Sequence, residues 1–430
     1  MKFVGSARGV AGAVGELLQT ALGQNVPIRI RAWDGSETGP PDAPLLRIAN
    51  RRALRRLLWA PNELGVARAH VAGELELEGP FVEGLERLDA LARSTGFDVD
   101  LDWAAKWQLA KGAARLGVIG LPPKPPAEEI RLGGRLHSRK RDAAAISHHY
   151  DVGNDFYALV LGPSMTYSCA VWEKRDTTLE EAQIAKVDLI ARKLGLREGA
   201  RVLDVGCGWG SFVIHAAKVY GARAVGVTLS QAQADFARKR VAAEGLSDLV
   251  EIRVQDYREV TDGPFDAISS IGMAEHVGAS MLPVYARSLF DLLRPEGRLL
   301  NHAISRHPAA APRDQKTSFI DRYVFPDGEL EPVSVMVAAI EEVGFEVRDV
   351  EALREHYGRT LRAWVDNLEA NWSEAVRLSS PGRARVWRLY MAACALSFEA
   401  GTIGVNQVLA VKPSARGGSG MPPVRTAWLS

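Results

Sequence analysis

Cysteine is scarce in this chain of 430 residues. The three cysteines stand at Cys169, Cys207 and Cys394, and none of them forms a CxxC pair. A disulfide framework and a zinc site of the CxxC type are therefore excluded, and we expect no metal site. The odd, sparse set is typical of a protein in the reducing cytoplasm.

The chain also lacks long apolar runs and a net charge of either sign. No stretch approaches the ~18 uninterrupted apolar residues that a membrane-spanning helix requires. Glycine and glutamate interrupt the first 20 residues, which argues against a signal peptide. Lysine and arginine number 53 against 52 acidic residues, and the resulting charge of +1 makes a general nucleic-acid binder a poor interpretation.

Composition divides the chain into three regions. Residues 1–130 carry short strands, a turn rich in Gly and Pro, and several helical patterns, which predict a small α+β domain. Residues 131–412 alternate strand and helix, with an insertion at about 305–335. Repeated βα units predict an α/β domain with a mostly parallel, doubly wound sheet. Residues 413–430 have the composition of a flexible tail.

The sharpest local signal is the glycine-rich turn LDVGCGWG at residues 203–210, between a buried strand and a helix. Glycines let the backbone lie close to a ligand, and the helix start favours a negative group. A dinucleotide site would instead have GxGxxG and an acid about 20 residues later, whereas Thr228 and Gln233 follow the next strand. The spacing resembles the S-adenosylmethionine loop of Rossmann-like class I methyltransferases.

One residue near this loop has two interpretations. Asp256 and Tyr257 follow the third strand, where this fold usually meets the adenine of the cofactor. Asp256 could equally cap a helix.

Further motifs follow one another along the chain. They are HHYDVGNDFY at 148–157, MTYSCAVW at 165–172, IGMAEHVG at 271–278, NHAISR at 301–306 and FIDRYVFPDGEL at 319–330. With the glycine loop, they resemble cyclopropane-fatty-acyl-phospholipid synthases and their relatives that make mid-chain methyl-branched, tuberculostearate-type lipids. The resemblance covers roughly residues 135–410, and residues 1 to about 130 are similar to the lipid-side domain of the longer members.

The resemblance implies a reaction and its cofactors. The methyl group of S-adenosylmethionine goes to the cis double bond of an acyl chain in a phospholipid, and the resulting carbocation loses a proton to a bound bicarbonate. A dry, oriented site suits that chemistry because the cation must not meet water.

The resemblance also assigns the site residues. Those expected to hold bicarbonate are Cys169, Glu275, His302, Tyr357 and the backbone at Ile304. Those expected to bind the cofactor are Tyr167, Ser168, Asp204, Gly206, Gly208, Thr228, Gln233, Asp256 and Tyr257.

Two departures from the family pattern bear on the product. Ala274 precedes the Glu–His pair where many cyclopropane synthases have a bulky residue, and NHAI replaces the commoner LHTI. A smaller residue changes the pocket around the base, so we expect a methylene or methyl-branched product, with a partner reductase that saturates the methylene. Ring closure to a cyclopropane is the alternative. A small-molecule methyltransferase and a catalytically silent scaffold are less favoured.

A phospholipid substrate implies contact with a membrane surface. The clusters of basic and aromatic residues at 51–59, 101–116 and 137–141 are candidates for that contact, or else solvated helix faces. We therefore expect a cytoplasmic protein at the inner face of the plasma membrane. The resemblance also implies a homodimer, and no nucleic-acid partner is expected.

Overall fold

The computed structural model describes residues 9–22, 27–95, 111–130, 141, 152–310 and 317–424. The described chain forms two compact units that are not continuous in sequence. Unit 1 takes residues 1–131, 314–324 and 380–393, and unit 2 takes 132–313, 325–379 and 394–430. The first break follows residue 131, and two later segments, 314–324 and 380–393, also belong to unit 1.

The elements within the described residues are as follows. The strands are β1 Arg29–Arg31, β2 Glu37–Thr38, β3 Leu45–Ile48, β4 Leu75–Glu78, β5 Arg201–Val205, β6 Arg223–Thr228, β7 Val250–Val254, β8 Phe265–Ile271, β9 Leu293–Arg306, β10 Glu346–Ala352 and β11 Ile403–Val411. The helices are α1 Val10–Leu22, α2 Arg51–Trp59, α3 Glu63–Val71, α4 Phe81–Thr95, α5 Asn154–Leu161, α6 Leu179–Leu194, α7 Ser211–Tyr220, α8 Gln231–Ala243, α9 Leu282–Leu292, α10 Phe319–Tyr323, α11 Val333–Glu342, α12 Arg354–Ala370, α13 Trp372–Leu378 and α14 Pro381–Glu399.

Unit 1 is built on a four-stranded sheet in the order β2-β1-β3-β4. Strands β1 and β3 are parallel, and the other two pairs are antiparallel. Its core joins Ile30 and Ile48 of the sheet to Val14 of α1 and to Leu116. This α+β arrangement agrees with the sequence pattern of residues 1–130.

Unit 2 contains the seven-stranded sheet β10-β11-β9-β8-β5-β6-β7. The five strands from β9 to β7 pair in parallel, and β11 runs antiparallel between β9 and β10. Successive side chains of a strand point to opposite faces of a sheet, and Ala267 and Ile268 of β8 accordingly belong to two different core clusters. The mostly parallel, doubly wound sheet predicted from the sequence is confirmed.

Two further findings concern the C-terminal segment and the membrane-spanning potential of the helices. The described part of the segment predicted as a tail, residues 413–424, makes defined contacts. Arg298 donates to the carbonyl of Gly420 at 3.2 Å, and the Ser414 amide donates to the carbonyl of Gly418 at 2.8 Å. Within the described ranges, no helix combines the length and apolarity needed to cross a bilayer.

Candidate active site

The glycine loop forms the carboxyl end of β5 and the start of α7. Gly206, Gly208 and Gly210 all have positive φ angles, between 54° and 83°, which side chains disfavour. A Cβ at Gly206 would lie 3.1 Å from Cγ of Met273, so the backbone there also approaches a neighbour closely. Glycine is required here both for the turn and for the space.

A cavity of about 160 Å³ lies over the carboxyl ends of β5, β6 and β8. This is the edge at which ligands bind in open α/β sheets. All nine residues predicted for the cofactor line it: Tyr167, Ser168, Asp204, Gly206, Gly208, Thr228, Gln233, Asp256 and Tyr257.

The polar residues of this cavity are held in place by one another. The Thr228 hydroxyl donates to Oε1 of Gln233 at 2.9 Å, and both residues are buried. Asp256 accepts from the backbone N–H of Arg258 and from its guanidinium, at 2.9 and 2.8 Å. Asp256 therefore caps the short helix Tyr257–Glu259 and lines the cavity as well, so the two interpretations of this residue are compatible.

Asp204 is buried at the end of β5. The Ser269 hydroxyl donates to its Oδ1 at 2.6 Å. Burial raises the pKa of Asp204 to about 6, while the Ser269 hydrogen bond and the nearby Lys186 act in the opposite direction.

Glu275 follows β8 and faces β9. Its Oε1 accepts the backbone N–H of Ile304 at 2.7 Å, while Oε2 is buried and has no hydrogen-bond partner. Burial raises the pKa of Glu275 to about 7, and the Ile304 hydrogen bond offsets only part of that rise. The residue also lines a second, smaller cavity with Asn301, whose Oδ1 likewise lacks a partner.

His302 lies on β9, two residues before Ile304. The amide nitrogen of Gln407 stands 3.3 Å from its Nδ1, so as assigned Nδ1 accepts and Nε2 carries the proton of the neutral ring. That Nε2 is buried and has no partner. Burial first, and then the charges of Lys186 and Lys193, lower the pKa of His302 to about 3.

Cys169 and Tyr357 complete the predicted bicarbonate group. The Cys169 thiol is fully buried and lies 3.2 Å from the carbonyl oxygen of Ala170. Burial raises the pKa of Tyr357 well above its usual value, and the charges of Tyr167, Cys169 and Glu275 raise it further. These interactions place Tyr357 near Cys169 and Glu275 within unit 2.

The fold joins Glu275 to Ile304 and sets Tyr357 near Cys169 and Glu275, but none of the five predicted residues lines the larger cavity. Glu275 and Ile304 line the smaller cavity, and Cys169, His302 and Tyr357 line neither. The donor chemistry fits a small oxyanion, because Nε2 of His302 is a buried donor without an acceptor. The Ile304 amide, however, already donates to Glu275, so an ion would have to share or displace that bond.

An aromatic series connects the two groups of residues. Ring centroids are 5.6 Å apart between Tyr157 and Tyr167, 5.4 Å between Tyr167 and Trp364, and 6.0 Å between Trp364 and Tyr357. Phe398 then lies 4.6 Å from Tyr357. Such rings offer faces that attract cationic charge.

Sequence reasoning missed Lys186. Its side chain is 1% exposed, lines the larger cavity and donates to the Ser168 hydroxyl at 2.9 Å. Burial lowers the pKa of Lys186 to about 8, although Cys169 and Asp204 favour the charged form. The sequence did indicate a buried position, because Lys186 is four residues from both Ala182 and Ile190 and therefore lies on the apolar stripe of its helix.

The part of the motif HHYDVGNDFY before Val152 lies outside the described residues. Of the remainder, the side-chain oxygen of Asn154 accepts from the indole of Trp209 at 2.7 Å, which ties α5 to the glycine loop.

Comparison with known proteins points to one family. The family model for mycolic acid cyclopropane synthetase matches residues 137–408. A probable fatty acid methyltransferase of Mycobacterium tuberculosis is 44% identical over 431 residues, covering 97% of this chain and 98% of that protein. The tuberculostearic acid methyltransferase UfaA1 of the same organism is 32% identical over 416 residues, covering 94% and 92%.

A solved structure agrees with these relatives. The mycolic acid cyclopropane synthase CmaA1, complexed with SAH and CTAB, is similar with a TM-score of 0.59 at 36% identity. The similarity covers 62% of this chain and 97% of that one.

Proposed function

This chain belongs to the mycolic acid cyclopropane synthetase family, and on that basis we propose that it methylates the cis double bond of an unsaturated acyl chain in a phospholipid. Its fold is that of class I S-adenosylmethionine-dependent methyltransferases, as the sequence predicts. S-adenosylmethionine, when bound, supplies the electrophilic methyl group.

The larger cavity is where we propose that the cofactor binds. Gly206 and Gly208 leave room for close approach of the ligand, and the hydrogen-bonded pair Thr228–Gln233 presents fixed polar atoms. Asp256 and Tyr257 are assigned to the adenine. Because these groups are already oriented by hydrogen bonds, little ordering is needed when the ligand arrives.

The observation that carries the proposal is the pair of unpartnered buried atoms, Oε2 of Glu275 and Nε2 of His302. Unsatisfied buried polar atoms are rare, and at functional sites they commonly mark a missing ligand. Cys169, Glu275, His302, Tyr357 and the Ile304 amide would hold bicarbonate, which when bound supplies a base for the proton that the product loses.

The residues around this pair have distinct tasks. Glu275 orients and can share a proton, because its pKa of about 7 lets both forms exist near neutral pH. His302 stays neutral and donates from Nε2. Trp364 and Tyr357 exclude water and offer aromatic faces to the cationic carbon that forms when the double bond takes the methyl group.

For the product, we favour a methylene or methyl branch over a cyclopropane ring. Ala274 is buried beside Glu275 and lines the smaller cavity, so the space around the base is larger than a Phe would leave. The similarity to the tuberculostearic acid methyltransferase spans 94% of the chain, whereas that to the cyclopropane synthase structure spans 62%. A reductase would then saturate the methylene, with both proteins acting at the cytoplasmic face of the membrane.

The proposal is tested with the purified full chain, methyl-labelled S-adenosylmethionine and vesicles of dioleoyl phospholipid. We expect label in the lipid, and proton NMR of the extracted acyl chains should contain olefinic methylene signals. Upfield ring protons would indicate the cyclopropane alternative. Label found only in a soluble acceptor would refute the proposal.

A variant pair tests the role of Glu275. Glu275→Gln should lower the transfer rate at least ~100-fold, because a positioned acid–base group contributes about that much or more. Affinity for S-adenosylhomocysteine should not change, as measured by calorimetry. The matched control is Glu341→Gln on the exposed face of α11, which should keep the full rate.

A further inference from the structure

Unit 1 carries an exposed apolar patch that the proposed chemistry does not use. Four large apolar side chains make it up, and we call it the Trp59 patch: Leu58 is 50% exposed, Trp59 56%, Ile119 62% and Leu121 85%. A contiguous exposed apolar patch on a protein surface commonly marks a binding site.

Hydrogen bonds bring the two halves of the patch together. The Trp59 indole donates to the carbonyl of Gly120 at 2.9 Å. Arg55 donates to the carbonyl of Val118 at 3.0 Å. The end of α2 and the loop after residue 116 are thereby held side by side, and all four exposed apolar side chains belong to these two joined segments.

Three cationic side chains belong to the same two segments. Arg51 lies beside Gly117, Arg55 donates to the carbonyl of Ile119 at 3.4 Å, and Lys124 is exposed a few residues further on. No carboxylate in the described part of the chain pairs with these three side chains. Arg52, by contrast, forms an ion pair with buried Glu74 at 3.1 Å, so its charge is partly compensated.

We propose that the Trp59 patch docks unit 1 on an anionic phospholipid bilayer, an inference that rests on the proposed lipid substrate. Trp is favoured at the level of the headgroups, where its ring is apolar and its N–H is polar. Leu58 and Leu121 enter the acyl boundary, and Arg51, Arg55 and Lys124 meet the lipid phosphates. The positive charge near the patch and its exposed apolar side chains suit an anionic lipid surface better than a protein partner.

The test is sedimentation of the full chain with vesicles of dioleoyl phosphatidylglycerol mixed with phosphatidylcholine. We expect binding that grows with the anionic fraction and falls with salt. The double variant Leu58→Ser/Leu121→Ser should bind about tenfold more weakly. The matched control Ile184→Ser/Val219→Ser removes two comparably exposed apolar side chains from unit 2 and should bind like the parent.

A charge variant separates the two contributions. Arg51→Gln/Lys124→Gln should lose affinity for anionic vesicles and show a shallower salt dependence, while weak binding to pure phosphatidylcholine stays the same. Equal binding of the Leu58→Ser/Leu121→Ser variant and the parent would overturn the proposal. The proposal would also be overturned if light scattering showed that this variant self-associates differently from the parent while its vesicle binding is unchanged.

The activity measurement keeps this inference distinct from the proposed function. The Leu58→Ser/Leu121→Ser variant should lose methyl transfer on vesicles but keep it on the same phospholipid dispersed in detergent. Loss in both forms would overturn the docking role. If the parent methylates neither form yet still binds anionic vesicles through the patch, the proposed function fails and the docking surface stands.

Discussion

Burial sets the charge state of the two side chains at the centre of the candidate active site. It raises the pKa of Glu275 to about 7 and lowers that of His302 to about 3. Both shifts favour the neutral form, because a low-dielectric interior penalises charge of either sign. Between about pH 3 and pH 7 the pair is therefore uncharged, and an anion that enters meets a donor on His302 without strong repulsion from Glu275.

The raised pKa of Glu275 predicts how stability depends on pH. The folded protein holds this proton up to about pH 7, while the unfolded chain releases it near 4.5. The contribution to stability is thus present below 4.5 and is lost as the pH rises to about 7. Glu275→Gln cannot titrate, so its unfolding free energy relative to the parent should increase by up to about 3 kcal/mol between pH 4.5 and 8.

Urea unfolding of both proteins across this pH range measures the difference. The control Glu244→Gln removes an exposed carboxyl whose pKa Lys218 lowers, and it should produce no such gain. Parallel stability curves for the parent and Glu275→Gln would contradict the prediction.

Lys186 is predicted to hold down the pKa of His302. Its buried charge disfavours a second positive charge nearby, in addition to the larger effect of burial. Lys186→Met should therefore raise the pKa of His302 above about 3, though not to its ordinary value. NMR titration of the imidazoles measures this, with His302 assigned from His302→Gln. An unchanged titration in Lys186→Met would contradict it, and exposed Lys239→Met is the control.

At the scale of elements, the strand ends of the sheet position the cofactor residues. Strands β5 and β6 pair in parallel, from Arg201 beside Arg223 to Val205 beside Val227, so the turns after them lie at one edge. The Thr178–Glu181 capping box fixes the start of α6, which carries Lys186 under that edge. Regular elements thus hold groups that are far apart in sequence.

Gly206→Ala should weaken the binding of S-adenosylhomocysteine at least tenfold. The left-handed backbone costs an alanine about 1–2 kcal/mol, and the new Cβ would press on Met273. The control Gly245→Ala has a similar φ of 69° and open space around it, so it should lose similar stability and keep its affinity. Calorimetry and thermal melts report both quantities, and equal affinities for the two variants would count against the prediction.

At the scale of the molecule, unit 1 draws on three separate parts of the chain. The Phe319 amide donates to Glu63 at 2.9 Å, and Arg385 donates to Glu76 at 2.7 Å. Tyr323 is 1% exposed and lies 3.3 Å from a carboxylate oxygen of Glu129. The later segments therefore complete a core that residues 1–131 begin.

Removal of residues 1–131 should consequently leave an aggregation-prone fragment. Phe319 and Tyr323 would lose the partners that bury them, and Arg385 would lose its carboxylate. We expect residues 132–430 alone to give little soluble protein, whereas the full chain melts cooperatively. A soluble fragment with an undiminished melting temperature would contradict this prediction.

Local signals explain what could be predicted from the sequence. The alternation of strand and helix and the glycine loop depend on residues close together in the chain, and they predicted the sheet and the glycines that line the larger cavity. The other cofactor residues were predicted from the family resemblance. The residues predicted to hold bicarbonate came from the family resemblance, most of them from motifs at 165–172, 271–278 and 301–306, rather than from any local rule. Lys186 was missed because a single lysine in a helix is usually exposed.

The sequence by itself determined the class of fold and the glycine loop, because periodicity and turn geometry are properties of neighbouring residues, and its motifs indicated the family by resemblance. Only the tertiary structure decided which polar atoms remain unpartnered, how far burial shifts the pKa of Glu275 and His302, and that residues 314–324 and 380–393 join unit 1. Those properties depend on which distant segments pack together, and the Trp59 patch likewise exists only where α2 meets the loop after residue 116.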